Sequence, residues 1–118
     1  MPFRIIFIFL FIVLFSCSKK EVAYEPKLKI DPYEIYKEGS KALEVRNYFF
    51  ASKKFSEAEI NFKVVELAAK SSIMASYCLY NINFYDETLE NIKSFLKKYP
   101  ADKNVVYAHY LSAIVYFE

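Results

Sequence analysis

Residues 48 to 62 run Tyr48-Phe49-Phe50-Ala51-Ser52-Lys53-Lys54-Phe55-Ser56-Glu57-Ala58-Glu59-Ile60-Asn61-Phe62. Ala51, Phe55, Ala58 and Phe62 follow one another at intervals of four, three and four, which places them on one face of an α-helix. The alanines let a neighbouring helix come close, and the rings between them fill the remaining gap. Shifted by 37 residues, the stripe reads Thr88, Ile92, Phe95 and Tyr99. The preceding segment shifts with it: Gly39 becomes Ser76, Ala42 becomes Leu79, and the turn Asn47-Tyr48 becomes Phe84-Tyr85. A further shift of 37 puts Ala113 and Tyr116 on the first helix of a third hairpin, beginning near Lys103. Side chains of matched size recurring at a fixed interval predict an all-α fold of stacked helical hairpins, an α-solenoid.

Local signals agree. Asp31-Pro32-Tyr33-Glu34 starts a helix, with Asp31 as N-cap, Pro32 at the first position and Glu34 placed to reach back. That helix runs to about Arg46, with Ile35, Gly39, Ala42 and Leu43 at helical spacing. Asp86 and Glu87 open the second helix of the next hairpin. Lys97 and Lys98 form its solvated end, and Pro100 stops it, in line with the helix dipole. The small–aromatic alternation resembles the tetratricopeptide repeat, through Tyr48, Ala51, Phe55 and Ala58 in the first hairpin and Tyr85, Ile92 and Pro100 in the second. Thr88 and Phe95 depart from that pattern. Ile35, Ser72 and His109 stand where a large aromatic usually opens the first helix, Lys63 replaces the first closing proline, and the period exceeds the usual ~34 residues. The pattern breaks off at Tyr116-Phe117-Glu118 inside the third first-helix. A solenoid ending there would expose an apolar face, so the chain reads as the N-terminal part of a longer array.

The first residues are an address. Met1 to Arg4 carries one cation, and Ile5 to Phe15 is an unbroken apolar run. At ~1.5 Å per residue that run is roughly 16 Å long, about half of a ~30 Å hydrocarbon core, which suits a signal peptide better than a membrane span. Leu14-Phe15-Ser16-Cys17 resembles the bacterial lipobox. The resemblance implies cleavage between Ser16 and Cys17 and lipidation of the Cys17 thiol, followed by acylation of the new amine. Phe15 is larger than the residue usual there; the alternative is an uncleaved short anchor with an incidental cysteine. Two or more acyl chains hold firmly where one holds marginally. Ser18 stands where an aspartate would signal retention at the inner membrane, so the outer membrane is expected. The expected organisation is a signal peptide over 1–16, lipidated cysteine and polar leash over 17–30, and helical repeats over 31–118.

Composition excludes much else. With 16 Lys plus Arg against 14 Asp plus Glu, dispersed along the chain, there is no electrostatic footprint for nucleic acid. The single glycine, Gly39, cannot build a phosphate-cradling loop, and the single histidine, His109, has no second histidine or acidic partner at ligand spacing. No catalytic constellation, metal site or cofactor is expected, and His109 is expected to pack within its helix. Cys78 lies in an apolar helical pattern and reads as a small core residue.

The lipobox, the polar leash and the acidic start of the hairpins precede two further stretches, Phe95-Leu96-Lys97-Lys98-Tyr99-Pro100 and Asn104-Val105-Val106-Tyr107-Ala108-His109-Tyr110-Leu111-Ser112-Ala113. Together they resemble the BamD family (ComL/YfiO type), lipoproteins of the outer-membrane β-barrel assembly machinery. Ala113 stands where that family commonly has glycine. The resemblance implies a non-enzymatic, lipid-anchored scaffold on the periplasmic face of the outer membrane. Its implied partners are the barrel-forming subunit, other lipoproteins of the machinery, and unfolded outer-membrane proteins whose C-terminal segments the N-terminal repeats receive. In tetratricopeptide arrays the first helix of each repeat lines the concave groove. That pattern aims Tyr33, Tyr36, Tyr77, Tyr107 and Tyr110 at the groove, where flat amphipathic rings suit an extended, aromatic-ended peptide. The alternative for any one tyrosine is packing between helices with its hydroxyl at the surface. Two rival functions stay open: another periplasmic tetratricopeptide lipoprotein, serving pilus assembly or envelope division, and the anchored N-terminal part of an enzyme whose catalytic domain lies downstream.

Overall fold

The computed structural model describes residues 29–118. The leader, Ser16, Cys17 and most of the leash lie outside the described residues. Among the described residues are five helices and no strand: α1 (Pro32–Glu44), α2 (Tyr48–Asn61), α3 (Val65–Asn81), α4 (Tyr85–Lys98) and α5 (Val105–Val115). Each helix packs on the next, and α5 also touches α3. The result is two α-hairpins and the first helix of a third, stacked in series as in tetratricopeptide-like solenoids.

The Asp31 carboxylate accepts a hydrogen bond from the Tyr33 N–H at 3.0 Å and starts α1 with Pro32. Glu34 does not complete a capping box; it faces Lys37 at 3.9 Å. The helix ends at Glu44, short of the expected Arg46, because Arg46 takes the left-handed conformation with φ 58°. From there the Arg46 N–H donates to the Leu43 carbonyl and the Asn47 N–H to the Ala42 carbonyl, closing a Schellman turn. Asn83, 37 residues on, has φ 61°, and the same bonds run from Asn83 to Tyr80 and from Phe84 to Leu79. The repeat is therefore one of backbone geometry as well as of side-chain size.

Helix α3 is covered on both sides, by α2 and by α4, and its composition follows from that. Ala68, Ala69, Ser71, Ser72, Ala75, Ser76 and Cys78 are all buried. Small residues let two neighbours approach, and the serines bury without an orphaned hydroxyl: Ser71 donates to the Leu67 carbonyl at 2.8 Å and Ser76 to that of Ser72 at 3.2 Å. Ala75 and Cys78 join Ala42, Ala51 and Phe55 in one core, while Ala69 and Ile73 join Ile92, Phe95, Ala108 and Leu111 in the next. One helix thus supplies two cores, so neither hairpin buries its apolar face alone.

Successive repeats are also joined by polar contacts. Glu59, whose side chain is 10% exposed, accepts from the Tyr99 hydroxyl at 2.9 Å and pairs with Lys98 at 3.3 Å. Lys98 is therefore not a merely solvated helix end. Lys103 reaches Glu66 at 2.8 Å.

The third first-helix begins at Val105, two residues after Lys103. It buries Ala108, Leu111 and Val115. His109 is exposed, contrary to the expectation of packing, although its repeat mates Ile35 and Ser72 are buried. Ile35 lies on a helix packed on the following α2, and the Ser72 carbonyl accepts from Asn91 of the following α4, whereas no described helix follows α5. Ala113, mate of buried Gly39 and Ser76, is also exposed, because no described helix lies against that side of α5.

Candidate peptide-binding face

Helices α1, α3 and α5, the first helices of the hairpins, carry the five tyrosines singled out by the sequence. Two of them sit on α1 in an aromatic cluster. The Tyr33 ring meets Phe62 edge-on with centroids 5.1 Å apart. Tyr36 meets Phe55 at 5.1 Å and Phe62 at 6.3 Å, and the Lys70 ammonium lies over the Tyr36 ring at 5.5 Å. Buried Phe55 anchors this cluster to the first core, whereas Tyr33 remains 59% exposed.

The other three gather between α3 and α5. Tyr107 and Tyr110 have centroids 6.2 Å apart, and Tyr77 is half-buried with Tyr48 at 6.5 Å. Burial raises the Tyr107 hydroxyl above its ordinary range, and the nearby phenols of Tyr77, Tyr110 and Tyr80 raise it further. Tyr80 is thus a fourth member of this group. Its own hydroxyl is raised by burial and then by Glu118, whose carboxylate it faces at 3.5 Å, and its ring lies 6.1 Å from Tyr85. Its position three residues after Tyr77 puts both on one helix face, a signal present in the sequence. Tyr36 of the first group and Tyr77 of the second both pack against the core formed by Ala42, Ala51, Phe55, Ala75 and Cys78.

Raised phenols stay neutral at physiological pH, offering flat apolar surface and a hydroxyl that both donates and accepts. Cys78 is fully buried, and burial pushes its thiol up to about 11, so it is an inert core side chain. Among the described residues no three His, Cys, Asp or Glu side chains converge on one point. Two concavities lie away from the tyrosines: one of about 560 Å³ where Tyr99, Pro100 and Ala101 meet Val65, and one of about 350 Å³ between α4 and α5 beside Leu89, Leu96 and Ser112. Tyr33, Tyr36, Tyr77, Tyr107 and Tyr110 line neither of these concavities.

Comparison with known proteins bears on this geometry. The family model described as YfiO, outer membrane lipoprotein, matches residues 29–118. The outer membrane protein assembly factor BamD of Caulobacter vibrioides is 33% identical over 104 residues, covering 87% of this chain and 33% of that protein. The outer membrane protein assembly factor BamD of Rickettsia prowazekii is 26% identical over 106 residues, covering 90% of this chain and 41% of that protein. The chain therefore spans a third to two fifths of the length of these curated relatives. No solved structure matches significantly. With a family model covering every described residue and both hairpins in the expected register, this chain belongs to the YfiO/BamD family of outer-membrane lipoproteins.

Proposed function

We propose that this chain is the N-terminal peptide-receiving part of a lipid-anchored scaffold in the outer-membrane β-barrel assembly machinery, held at the periplasmic face of the outer membrane. The observation that carries the reading is the pair of tyrosine groups, one on α1 and one between α3 and α5, in a chain whose curated relatives are named outer membrane protein assembly factors. Aromatic contacts of this kind contribute about 0.5–1.5 kcal/mol each beyond area burial, so several in a row hold an extended, aromatic-ended segment of an unfolded outer-membrane protein. Cys17, exposed by cleavage after Ser16, carries the acyl chains that tether the scaffold, and the polar leash gives it reach. The barrel-forming subunit and other lipoproteins are its partners in the machinery. It acts by binding and performs no catalysis.

The test is binding of a synthetic peptide ending in an aromatic residue. Tyr77→Ala and Tyr110→Ala each weaken it by about two- to tenfold, the factor corresponding to one aromatic contact, with helicity unchanged. Full-strength binding by the double variant would sink the assignment of this face. For the tether, incorporation of a palmitate analogue is lost in Cys17→Ala; undiminished labelling would remove the lipid anchor from the proposal.

A further inference from the structure

The repeat register sets one edge of the molecule apart. Where α1 turns into α2, Arg46, Phe49, Phe50 and Lys53 are all exposed. Shifted by 37 residues, the same four positions read Asn83, Asp86, Glu87 and Glu90. The second hairpin thus opens α4 with the acids that a helix N-terminus favours, whereas α2 has no acid in its first turn. It presents two rings to water instead, Phe49 at 50% and Phe50 at 43% exposure, beside Val45 at 76%. Core packing does not call for them, because Ala51, Ser52, Phe55 and Ala58 supply the buried face of α2. The Phe49 ring meets the exposed Phe84 ring of the next hairpin at 6.4 Å, which extends the apolar surface. The Lys53 ammonium lies 4.7 Å from the Phe49 centroid, and that of Lys54 lies 5.6 Å from Phe50. Lys54 is paired with Glu38 and Glu57, but neither Lys53 nor Arg46 makes an ion pair with a described carboxylate.

We propose that this edge of the first hairpin lies against the bilayer surface, with Phe49 and Phe50 entering the interfacial layer and Lys53 and Arg46 meeting lipid phosphates. The inference depends on the proposed placement of the chain at a membrane and adds a second contact to the tether. Rings with a cation stacked on them suit that layer. The ring sinks below the headgroups while the lysine stem extends and carries its charge back to them. The charge contrast decides which hairpin is held: phosphates attract Arg46 and Lys53 and repel Asp86, Glu87 and Glu90. Contact is therefore confined to the hairpin nearest Cys17 in the chain. The reach is sufficient. Asp31 lies 14 residues after Cys17, and an extended chain covers at most ~3.3–3.6 Å per residue, or roughly 46–50 Å. Helix α1, which separates Asp31 from the Arg46 turn, is about 20 Å long. A second point of attachment fixes the orientation of the array, which a tether alone does not.

The test puts an environment-sensitive fluorophore on Val45→Cys or, at the far end of α2, on Ile60→Cys. The full chain is reconstituted in vesicles of phosphatidylethanolamine and phosphatidylglycerol; buried Cys78 takes no label. Nitroxide-bearing lipids quench the Val45 probe several-fold more than the Ile60 probe, although Ile60 is as open to solvent, at 82% exposure. Phe49→Ala and Phe50→Ala keep the helicity and each weaken the contact by roughly three- to tenfold, the factor for burying about half of a phenylalanine side chain. Lys53→Glu, which imports the charge of the second hairpin, also lowers the quenching, most of all in low salt. Equal quenching at Val45 and Ile60, or quenching at Val45 that survives both ring substitutions, overturns the contact and leaves the tether and the peptide-receiving role standing. A Val45 probe shielded without nitroxide quenching, increasingly so at higher protein density, assigns the edge to a second copy of the chain and overturns the contact as well. Failure of the tether reads out separately, as lost palmitate labelling. The apolar run 5–15 then still holds the chain at the vesicle, and the comparison of Val45 with Ile60 still decides.

Discussion

In the first hairpin Gly39 faces the Phe55 ring and the base of Lys54, whereas in the second Ser76 occupies the same register and meets Asn91, the repeat mate of Lys54. A Cβ placed on Gly39 would stand 3.1 Å from the Phe55 ring carbons and 3.3 Å from the Lys54 Cβ. The glycine is there because a buried ring has taken the space. In the second hairpin Ile92 replaces that ring, and the Asn91 amide donates to the Ser72 carbonyl at 3.0 Å and to the Ser76 hydroxyl at 2.7 Å. The turns that follow are nonetheless the same, with left-handed Arg46 and Asn83 and the same pair of closing hydrogen bonds. One backbone geometry is thus reached by close apolar packing in one repeat and by a polar interlock in the next. Repeat proteins need only the helix-to-helix distance to recur, and different side-chain chemistry can set it.

The largest effect that separates the two comes from the core residue itself. Phe55→Ala should lower unfolding free energy by about 3–5 kcal/mol, because a fully buried ring leaves a cavity that α1 and α3 cannot close. Ile92→Ala should cost about 2–5 kcal/mol on the same denaturant scale. A smaller loss from Phe55 than from Ile92 would mean that the first hairpin does not depend on its ring. Next in size is Gly39→Ser, which imports the residue of the second repeat. Helix propensity favours the change by less than ~1 kcal/mol, but overpacking against an immobile ring costs about 1–3 kcal/mol, so net destabilisation is expected; a stabilised variant would show that Phe55 yields.

Asn91→Ala should cost about 1–2 kcal/mol by removing two interhelical hydrogen bonds, with little dependence on salt. Its mate Lys54 pairs with Glu38 at 2.8 Å at the surface, and hydrogen bonding to Glu38 raises its ammonium. Lys54→Ala should have a smaller effect that added salt removes. Equal salt sensitivity of the two variants would erase the contrast between polar interlock and surface pair. The smallest expected effect is alkaline. Burial pushes Cys78, in the first core, from 9.0 to about 11, and burial with the Glu59 hydrogen bond pushes Tyr99, against the second, from 10.0 to about 12. Both folded values are raised, so the protonated forms stabilise the fold. That contribution is complete below pH 9 for Cys78 and below pH 10 for Tyr99, and it is lost toward about 11 and about 12. Thermal unfolding at stepped pH should show Cys78→Ala deferring the first loss; an unchanged onset would exclude the thiol.

Much of this was legible before any fold was known. Ala51, Phe55 and Ala58 announced a buried face, and the 37-residue shift located its counterpart at Thr88, Ile92 and Phe95, all of them buried. The family resemblance rested on short stretches around Phe95 to Pro100 and Tyr107 to Ala113 that the family model also covers. His109 shares the register of buried Ile35 and Ser72, but register fixes only the face of a helix, not whether a neighbour covers it, and no described helix covers that side of α5. Asn91 and Lys98 were not seen as contacts, because nothing in a surface-type residue specifies a partner nineteen or thirty-nine positions away. Tyr80 was within reach, one helical turn from Tyr77.

Periodicity and side-chain size, which are properties of the linear chain, determined that this protein is a series of helical hairpins with apolar faces turned toward one another. Three-dimensional stacking alone decided that α3 serves two cores, that Glu59 and Glu66 are committed to the following repeat, and that the Lys70 ammonium lies over the half-buried Tyr36 ring. The division has a physical cause. The hydrophobic effect is non-directional and is written into local pattern, whereas ion pairs and ring contacts depend on distances of a few ångströms that exist only once the helices have met.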